Sequence, residues 1–306
     1  MTITPKAPPI PRPIWGVGLV LAAMLAFAIM DGLAKILSQS LPVPQIMWVR
    51  NIFFTAVAIA LLANQTTDFK SLATSARPIL QFSRGLLLVL ESAAFMVAFK
   101  FMPLADVHAV AAASPLIVVA LSVPILGEKV GPRRWAAVVA GFVGVLLIIR
   151  PGFEKIEPPI LIALTAAVLW GSYQIILRYC ARFDRTETTT LWTAVVGLGA
   201  TSVVGPPLWV WPETNGWILL IAIAMLGCAA HIAMIKALAT TEAALLQPYS
   251  YTLFIWAVVV GYVMFGHIPD RWTLTGAAII IISGIYAWHR ERVRKVEPQH
   301  ASTSRP

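Results

Sequence analysis

The chain of 306 residues is 58% hydrophobic and only 12% charged, and its mean hydropathy is +0.79. This composition excludes an ordinary soluble domain, because such domains carry about 25% charged residues, and it indicates that lipid is the main solvent. The formal net charge of +9 does not indicate a nucleic-acid partner, since the Lys and Arg residues lie in short loops between apolar runs. Two cysteines, Cys180 and Cys228, cannot form a zinc site, and we predict neither a metal nor a cofactor.

Ten apolar runs follow one another along the chain, each of about twenty residues, which is the length of a helix that crosses a bilayer. Backbone amides need partners in hydrocarbon, and the runs lack the alternation of a membrane barrel, so we predict an all-α integral membrane protein. The predicted helices cover residues 14–37, 45–62, 85–101, 107–126 and 134–150, and then 159–178, 189–210, 216–237, 243–265 and 272–289. Residues 1–13 are predicted to be a disordered cytoplasmic N-terminus, and residues 290–306 a polar cytoplasmic tail, also without fixed structure.

The distribution of basic residues predicts the orientation of these helices. With the N-terminus in the cytoplasm, 17 of the 23 Lys and Arg residues fall in cytoplasmic loops, tails and helix ends, Arg84 among them. Five fall outside, and Arg50 within a helix completes the total. Because basic residues accumulate on the cytoplasmic side, we expect a multi-pass protein of the cell inner membrane with both termini inside.

The two halves of the chain, residues 14–150 and 159–289, match each other weakly but in register. The aligned sets are Phe27, Asp31 and Lys35 with Trp170, Gln174 and Arg178, and Lys100 and Asp106 with Lys236 and Glu242. Because each half has an odd number of helices, matched positions lie on opposite sides of the membrane, which predicts an inverted repeat. Two similar halves that exchange conformations give alternating access around a central site. The alternative is that duplication only built a stable bundle.

Several short motifs are shared with a known family. They are Asp31-Gly-Leu-Ala-Lys35, Arg50, Ser114-Pro115, Pro124-Ile-Leu-Gly-Glu128, Pro248-Tyr-Ser-Tyr251 and Pro269-Asp-Arg-Trp272. On these residues the chain resembles the EamA-type ten-helix carriers of the drug/metabolite transporter superfamily, over nearly its whole length. It departs from the pattern at His267, where an acidic residue is usual.

The resemblance implies a secondary transporter for a small organic metabolite. Similar carriers take up riboflavin or S-adenosylmethionine, and both solutes contain heteroaromatic rings. We therefore predict uptake of riboflavin or a similar heteroaromatic metabolite, with uptake of S-adenosylmethionine and efflux of a metabolite or drug as alternatives.

Ionisable side chains inside apolar helices are the first candidates for the site, because their burial in hydrocarbon costs a few kcal/mol or more. Glu91, near the middle of the third helix, is predicted to bind substrate or to exchange protons, and a structural ion pair is the alternative. His231 aligns with Phe95, one turn beyond Glu91, and is predicted either to face the same cavity or to be satisfied by a neighbouring group. Arg50 is predicted to bind an anionic group or to pair with Glu91 or Asp31.

Two further sets of charged residues are candidate substrate, proton or gate groups. Asp31 and Lys35 stand four residues apart, so they share a helix face and can pair with each other, as a gate or as an ordinary helix ion pair. The repeated sets Lys100 with Asp106 and Lys236 with Glu242 are predicted to lie at opposite mouths of the pathway. They would serve either as alternating gates or as interface anchors of helix ends.

Aromatic residues near helix centres are candidates for stacking on a planar substrate, although many Trp and Tyr residues in membranes only mark interfaces. These candidates are Trp170, Tyr173, Trp192, Tyr251 and Trp256. Gly141, Gly144, Gly197 and Gly199 are predicted to permit close helix contacts.

The sequence also bears on two other classes of membrane protein, enzymes and channels. A membrane enzyme is disfavoured, because the sequence has no nucleophile motif, metal-ligand cluster or P-loop. A channel is disfavoured too, because no filter or ring of charges is visible. The expected partners are therefore a small-molecule substrate, the lipid bilayer and protons as a coupling ion, and no nucleic acid.

Overall fold

The computed structural model describes residues 13–63, 73–127, 130–150, 158–240 and 243–301, and within these ranges the chain is helical and has no strand. The helices are α1 (Pro13–Leu37), α2 (Val43–Ala63), α3 (Pro78–Phe101), α4 (Leu104–Ala111), α5 (Ser114–Leu126), α6 (Pro132–Ile149), α7 (Pro158–Cys180), α8 (Thr186–Val204), α9 (Thr214–Thr240), α10 (Ala243–Ser250), α11 (Thr252–Phe265) and α12 (Arg271–Ala301).

In the described part of the chain, nine helical stretches are long and apolar enough to cross a membrane, the pair α4 and α5 counting as one stretch. Helix α8, with 19 residues, is the tenth predicted span. It is less apolar than the others because Thr186, Thr188, Thr189 and Thr190 occupy its first turns. The all-α membrane fold predicted from the sequence is confirmed.

The fourth predicted span of each half is broken into two helices at a matching place. In the first half, Pro115 lacks the backbone N–H that would continue the helical ladder, and the Ser114 hydroxyl donates instead to the Ala111 carbonyl at 2.7 Å. In the second half, α10 contains Pro248, and the Thr252 hydroxyl donates to the Tyr249 carbonyl at 2.6 Å. Both pairs of helices then end on a left-handed glycine, Gly127 at φ 69° and Gly266 at φ 67°.

Contacts between the two halves have the pattern of a two-fold repeat. Helix α1 packs extensively on α9, and α3 packs on α7 in the corresponding way; α5 lies on α7 as α11 lies on α1. In the same way, α3 packs on α8 as α9 packs on α2. Two more large interfaces, α2 with α8 and α6 with α12, join each helix to its own counterpart. Exchanging the halves therefore maps every large interface onto another large interface or onto itself.

The largest differences between the predicted and the observed helix boundaries occur at three places. Helix α3 begins at Pro78 instead of residue 85, so Arg84 lies inside a helix and is fully buried. Helix α8 ends at Val204, before the Pro206–Leu208 turn, because prolines cannot continue the helical ladder. Helix α12 continues to Ala301, so much of the predicted tail is helical, while predicted segment 1–13 lies outside the described residues except for Pro13.

Candidate functional site

Three helices, two from the first half and one from the second, each carry two site residues near the middle of the bundle. One of the two is an aromatic ring, and the other, one helical turn away, is a charged residue or a glycine. Residues four apart share a helix face, so each helix presents both positions to the same region. The pairs are Phe27 and Asp31 on α1, Arg50 and Phe54 on α2, and Gly227 and His231 on α9. The site therefore has a layer of rings at Phe27, Phe54 and His231, and an adjacent charged layer at Asp31 and Arg50.

The imidazole ring of His231 packs against two phenylalanine rings. Its ring centroid lies 5.1 Å from that of Phe27 and 5.5 Å from that of Phe54, both in edge-to-face geometry. The Nδ1 atom lies 2.7 Å from the carbonyl oxygen of Gly227. The residue is nevertheless exposed, at the place where α1, α2 and α9 meet.

Asp31 pairs with a histidine that the sequence did not single out. The Asp31 Oδ2 atom lies 3.1 Å from Nε2 of His108 on α4, and the two side chains are 15% and 6% exposed. His108 also packs against the rings of Phe95 and Phe99. The structure thus joins α1 to α4 beside the charged layer.

Arg50 and Glu91 lie in the same region but do not form a direct ion pair in the described part of the chain. The Arg50 guanidinium is within electrostatic range of the carboxyl groups of Glu91 and Asp31. Glu91 is buried, 7% exposed, and accepts a hydrogen bond from Ser92 at 3.1 Å. The predicted pairing of Arg50 with either acid is therefore a longer-range interaction that leaves the guanidinium free to donate to a ligand.

The predicted ion pair between Asp31 and Lys35 is wrong, because each residue has another partner. The Lys35 ammonium donates to the carbonyl oxygens of Phe99 and Met102 at the end of α3, the latter at 2.7 Å. It also lies 5.6 Å from the ring centroid of Phe265 on α11. Lysine at this place satisfies the open carbonyls of a helix C-terminus and ties three helices together at one end of the bundle.

The same end of the bundle carries two further charged contacts. Asp106 lies 3.6 Å from His267, and Arg150 pairs with Asp270. Burial works against ionisation of Asp270, but hydrogen bonds from Thr273 and Arg150 outweigh it and hold the pKa of this carboxyl below its usual value. His267 occupies a position where an acid is usual in the family that the sequence resembles, and here it faces the acid Asp106.

Of the two sets predicted to lie at the mouths of the pathway, the structure describes the first, Lys100 and Asp106. Asp106 pairs with His267 and not with Lys100, whose side chain is exposed. Lys236 is also exposed, and Glu242 lies outside the described residues. For the first set, the spacing in the sequence thus placed Lys100 and Asp106 at a helix junction without making them partners.

Arg84 is a second feature that sequence reasoning missed. This fully buried arginine donates to Gln81, Tyr173, the Thr189 carbonyl and the Thr193 hydroxyl, at 2.7 to 3.3 Å. The polar faces that receive it, on α3, α7 and α8, are visible in the sequence only after the three helices are known to be neighbours. Its donors are engaged by protein groups, so it ties the helices together.

The aromatic candidates are dispersed in the structure. Trp170 and Tyr173 stack on each other beside Arg84, with centroids 5.3 Å apart, and Trp192 donates to the Ala73 carbonyl at 3.1 Å. Trp256 packs in the same apolar cluster as Phe27. The indole N–H of Trp256 and the hydroxyl of Tyr251 are buried, and the described residues offer neither a partner.

The described residues include no group of three or more His, Cys, Asp or Glu side chains that could hold a metal ion. Two surface grooves, at Ile14–Leu19 and between α6 and α12, are lined mainly by apolar side chains and lie away from the ring and charged layers. The centre of the bundle is therefore the region in which polar and aromatic groups converge.

Comparison with known proteins gives a family match over both halves. The pattern of the EamA-like transporter family matches residues 14–150 and 158–287. A solved structure described as "Crystal structure of protein" superposes with a TM-score of 0.60 at 23% identity, over 89% of this chain and 96% of that chain. At that identity the likeness concerns the fold alone.

Named relatives are all about equally distant. The S-adenosylmethionine uptake transporter of Rickettsia conorii is 26% identical, over 90% of this chain and 93% of its own. The riboflavin transporter of Vibrio cholerae serotype O1 is 26% identical, over 93% and 97% of the two chains. The pseudopaline exporter CntI of Pseudomonas aeruginosa is 26% identical, over 88% and 94%.

Proposed function

Because the chain belongs to the EamA-like transporter family, we propose that it is a secondary transporter that moves a small organic metabolite across the cell inner membrane by alternating access. The observation that carries this proposal is the site between the halves, where His231 of the second half meets Phe27 and Phe54 of the first. A centre shared by two similar halves is the arrangement in which rocking of one half against the other exposes the site to either side.

For the substrate we propose riboflavin or a similar heteroaromatic metabolite, taken up into the cell. Rings at Phe27, Phe54 and His231 favour a planar aromatic solute, because aromatic faces and edges attract each other. Arg50 adds a donor for a carbonyl or an anionic group. S-adenosylmethionine is the second candidate, since the S-adenosylmethionine uptake transporter of Rickettsia conorii is as similar to this chain, at 26% identity, as the riboflavin transporter of Vibrio cholerae is.

Transport by purified protein in liposomes tests these proposals. We expect labelled riboflavin to enter and unlabelled riboflavin on the far side to accelerate its entry, which is the behaviour of a carrier and not of a channel. Labelled S-adenosylmethionine is assayed beside it. Uptake of S-adenosylmethionine without uptake of riboflavin would show that S-adenosylmethionine is the substrate. Net movement of solute only outward from loaded cells would indicate an exporter. Absence of transport of both solutes would contradict the uptake proposals.

We further propose that Glu91 is the group that binds substrate or exchanges the coupling proton. It is a buried carboxyl in a membrane helix, within electrostatic range of Arg50. Burying an ionisable group in a membrane helix costs free energy, so its presence there favours a functional role. Glu91→Gln keeps the shape and removes the ionisable oxygen, so we expect uptake to fall to background. The matched control is Glu187→Gln at the start of α8, which lies away from the centre.

Two assays separate the two roles of Glu91: uptake driven by a proton gradient, measured at several external pH values, and exchange of labelled for unlabelled solute. If the carboxyl exchanges protons, Glu91→Gln loses uptake driven by a proton gradient but keeps exchange of labelled for unlabelled solute. If it binds substrate, both are lost. Wild-type uptake in both assays would remove Glu91 from the site.

A further inference from the structure

His231 has one nitrogen committed to the protein and one that is open to a ligand. A carbonyl oxygen only accepts hydrogen bonds, so the Nδ1 atom, 2.7 Å from the Gly227 carbonyl, must carry the proton and donate it. In the neutral ring the Nε2 atom then has a lone pair and no proton. No described residue forms a hydrogen bond with Nε2, although the side chain is exposed. The site therefore presents a fixed hydrogen-bond acceptor.

A hydrogen-bond donor lies one helical turn from this acceptor. A methyl group built on Gly227 would lie 3.9 Å from Cδ of Arg50, so the arginine side chain runs over the glycine. The carbonyl of that same glycine holds His231, which places the guanidinium and the imidazole on neighbouring parts of one wall. The guanidinium forms no ion pair in the described ranges, and it carries five N–H donors in a planar fork.

The rings beside His231 restrict what can reach the acceptor. The rings of Phe27 and Phe54 are steeply inclined to the imidazole, at interplanar angles of 89° and 61°, so a flat ligand parallel to either phenylalanine ring is steeply inclined to the imidazole as well. A flat ligand that packs against these phenylalanine faces brings its own edge toward the imidazole. The edge must offer a donor to Nε2 and, next to it, an acceptor to Arg50.

We propose that His231 and Arg50 together recognise the lactam edge of a planar heterocycle, with the ring N–H donated to His231 Nε2 and the adjacent carbonyl oxygen accepting from Arg50. The isoalloxazine ring of riboflavin has such an edge at its N3–H group. This assignment rests on the proposed function, and it makes His231 the residue that selects for the ring N–H. An acceptor that a bound ligand covers without donating to it costs free energy, which is how such a site rejects analogues that lack the hydrogen.

Competition with N3-methylriboflavin tests the assignment in liposomes that contain the full-length protein. The methyl group removes the donor and leaves the rings intact. We expect the methylated compound to compete about tenfold less well than riboflavin for the wild-type protein, the effect of one lost hydrogen bond to a desolvated acceptor.

Two variants separate recognition from simple crowding by the methyl group. His231→Phe keeps a ring beside Phe27 and Phe54 but removes the acceptor. The apparent affinity for riboflavin should then fall about tenfold, and riboflavin should compete no better than its methylated analogue. His231→Gln restores a neutral acceptor and should recover part of the preference. His289→Phe, near the end of α12, is the matched control and should behave as the wild type does. Thermal unfolding in detergent verifies that each variant is folded.

Each other outcome is informative. Equal competition by the two flavins in the wild-type protein, or a preference that persists in His231→Phe, would overturn the lactam assignment while riboflavin transport stands. Uptake of S-adenosylmethionine without riboflavin would overturn the assignment and leave alternating transport standing. Failure of both solutes would remove the proposed substrates and this inference together.

Discussion

Asp184, in the turn between α7 and α8, fastens that turn to the segment before α3. Its carboxylate accepts from the Ser75 hydroxyl at 2.5 Å, the Ala76 amide at 2.8 Å and the Gln81 side chain at 2.8 Å. Burial alone would raise the pKa of this carboxyl, but the three hydrogen bonds outweigh it and lower the pKa below its usual value. The ionised form therefore stabilises the folded protein.

Asp184→Asn should lower the thermal unfolding midpoint by about 2 to 4 °C at neutral pH, because an amide turns an N–H group toward donors that need an acceptor. A carboxyl whose pKa is depressed by folding contributes stability above its unfolded pKa and loses it as the pH falls through the folded value. The difference between the two proteins should thus shrink below about pH 4. Glu187→Gln is the control, and a difference that grows on acidification would contradict the argument.

The individual residues of the site were predicted unequally well. Asp31, Arg50, Glu91 and His231 are visible because an ionisable side chain inside an apolar run stands out in one dimension. His108 is equally polar, but it lies near the start of α4, where a helix end explains it equally well. Partners such as His108 for Asp31 depend on neighbours that are 77 residues apart in the chain, and spacing cannot supply them.

At the level of helices, hydropathy predicts the spans and fails where polar groups are satisfied by other helices. The start of α3 was placed too late because Gln81 and Arg84 lower the local hydropathy. Both side chains are fully buried, since α7 and α8 supply their hydrogen-bond partners. The same limit applies to the glycines: Gly144 makes a close contact as predicted, whereas Gly199 faces open space.

The pair α6 and α12 offers a direct test of this packing. A methyl group on Gly144 would lie 2.7 Å from the Gly276 carbonyl oxygen and 2.8 Å from Ile280, so Gly144→Ala must push the helices apart. Overpacking of this kind typically costs about 1 to 3 kcal/mol, and the unfolding midpoint should fall by several degrees. Gly199→Ala, where a methyl group meets nothing within 4 Å, should be neutral or slightly stabilising. Equal midpoints for both variants would refute the close contact.

For the whole molecule, we propose that the contacts at one end hold a gate closed. Lys35 joins α1 to the carbonyls that end α3, while Asp106 with His267 and Arg150 with Asp270 join the ends of α4, α6 and α12. Alternating access requires this end to open in the other state, so these contacts must break together. The odd number of helices per half and the bias of basic residues predict that this end faces outward, with both termini inside.

Lys35→Met should shift the protein toward the state that is open at this end. The lysine makes two charge-assisted hydrogen bonds, and loss of about 1.5 kcal/mol from the closed state changes the population about tenfold. A cysteine at Met102, with Cys180 and Cys228 replaced by serine, should then react about tenfold faster with an impermeant maleimide.

The side from which this cysteine is labelled tests the orientation. Reaction in intact cells places this end outside, whereas reaction only in inverted vesicles would reverse the proposed orientation. Lys100→Met removes an exposed lysine from the same end and should leave the rate unchanged. If Lys35→Met and Lys100→Met label alike, Lys35 does not hold the gate, and its contacts with α3 serve only to end that helix.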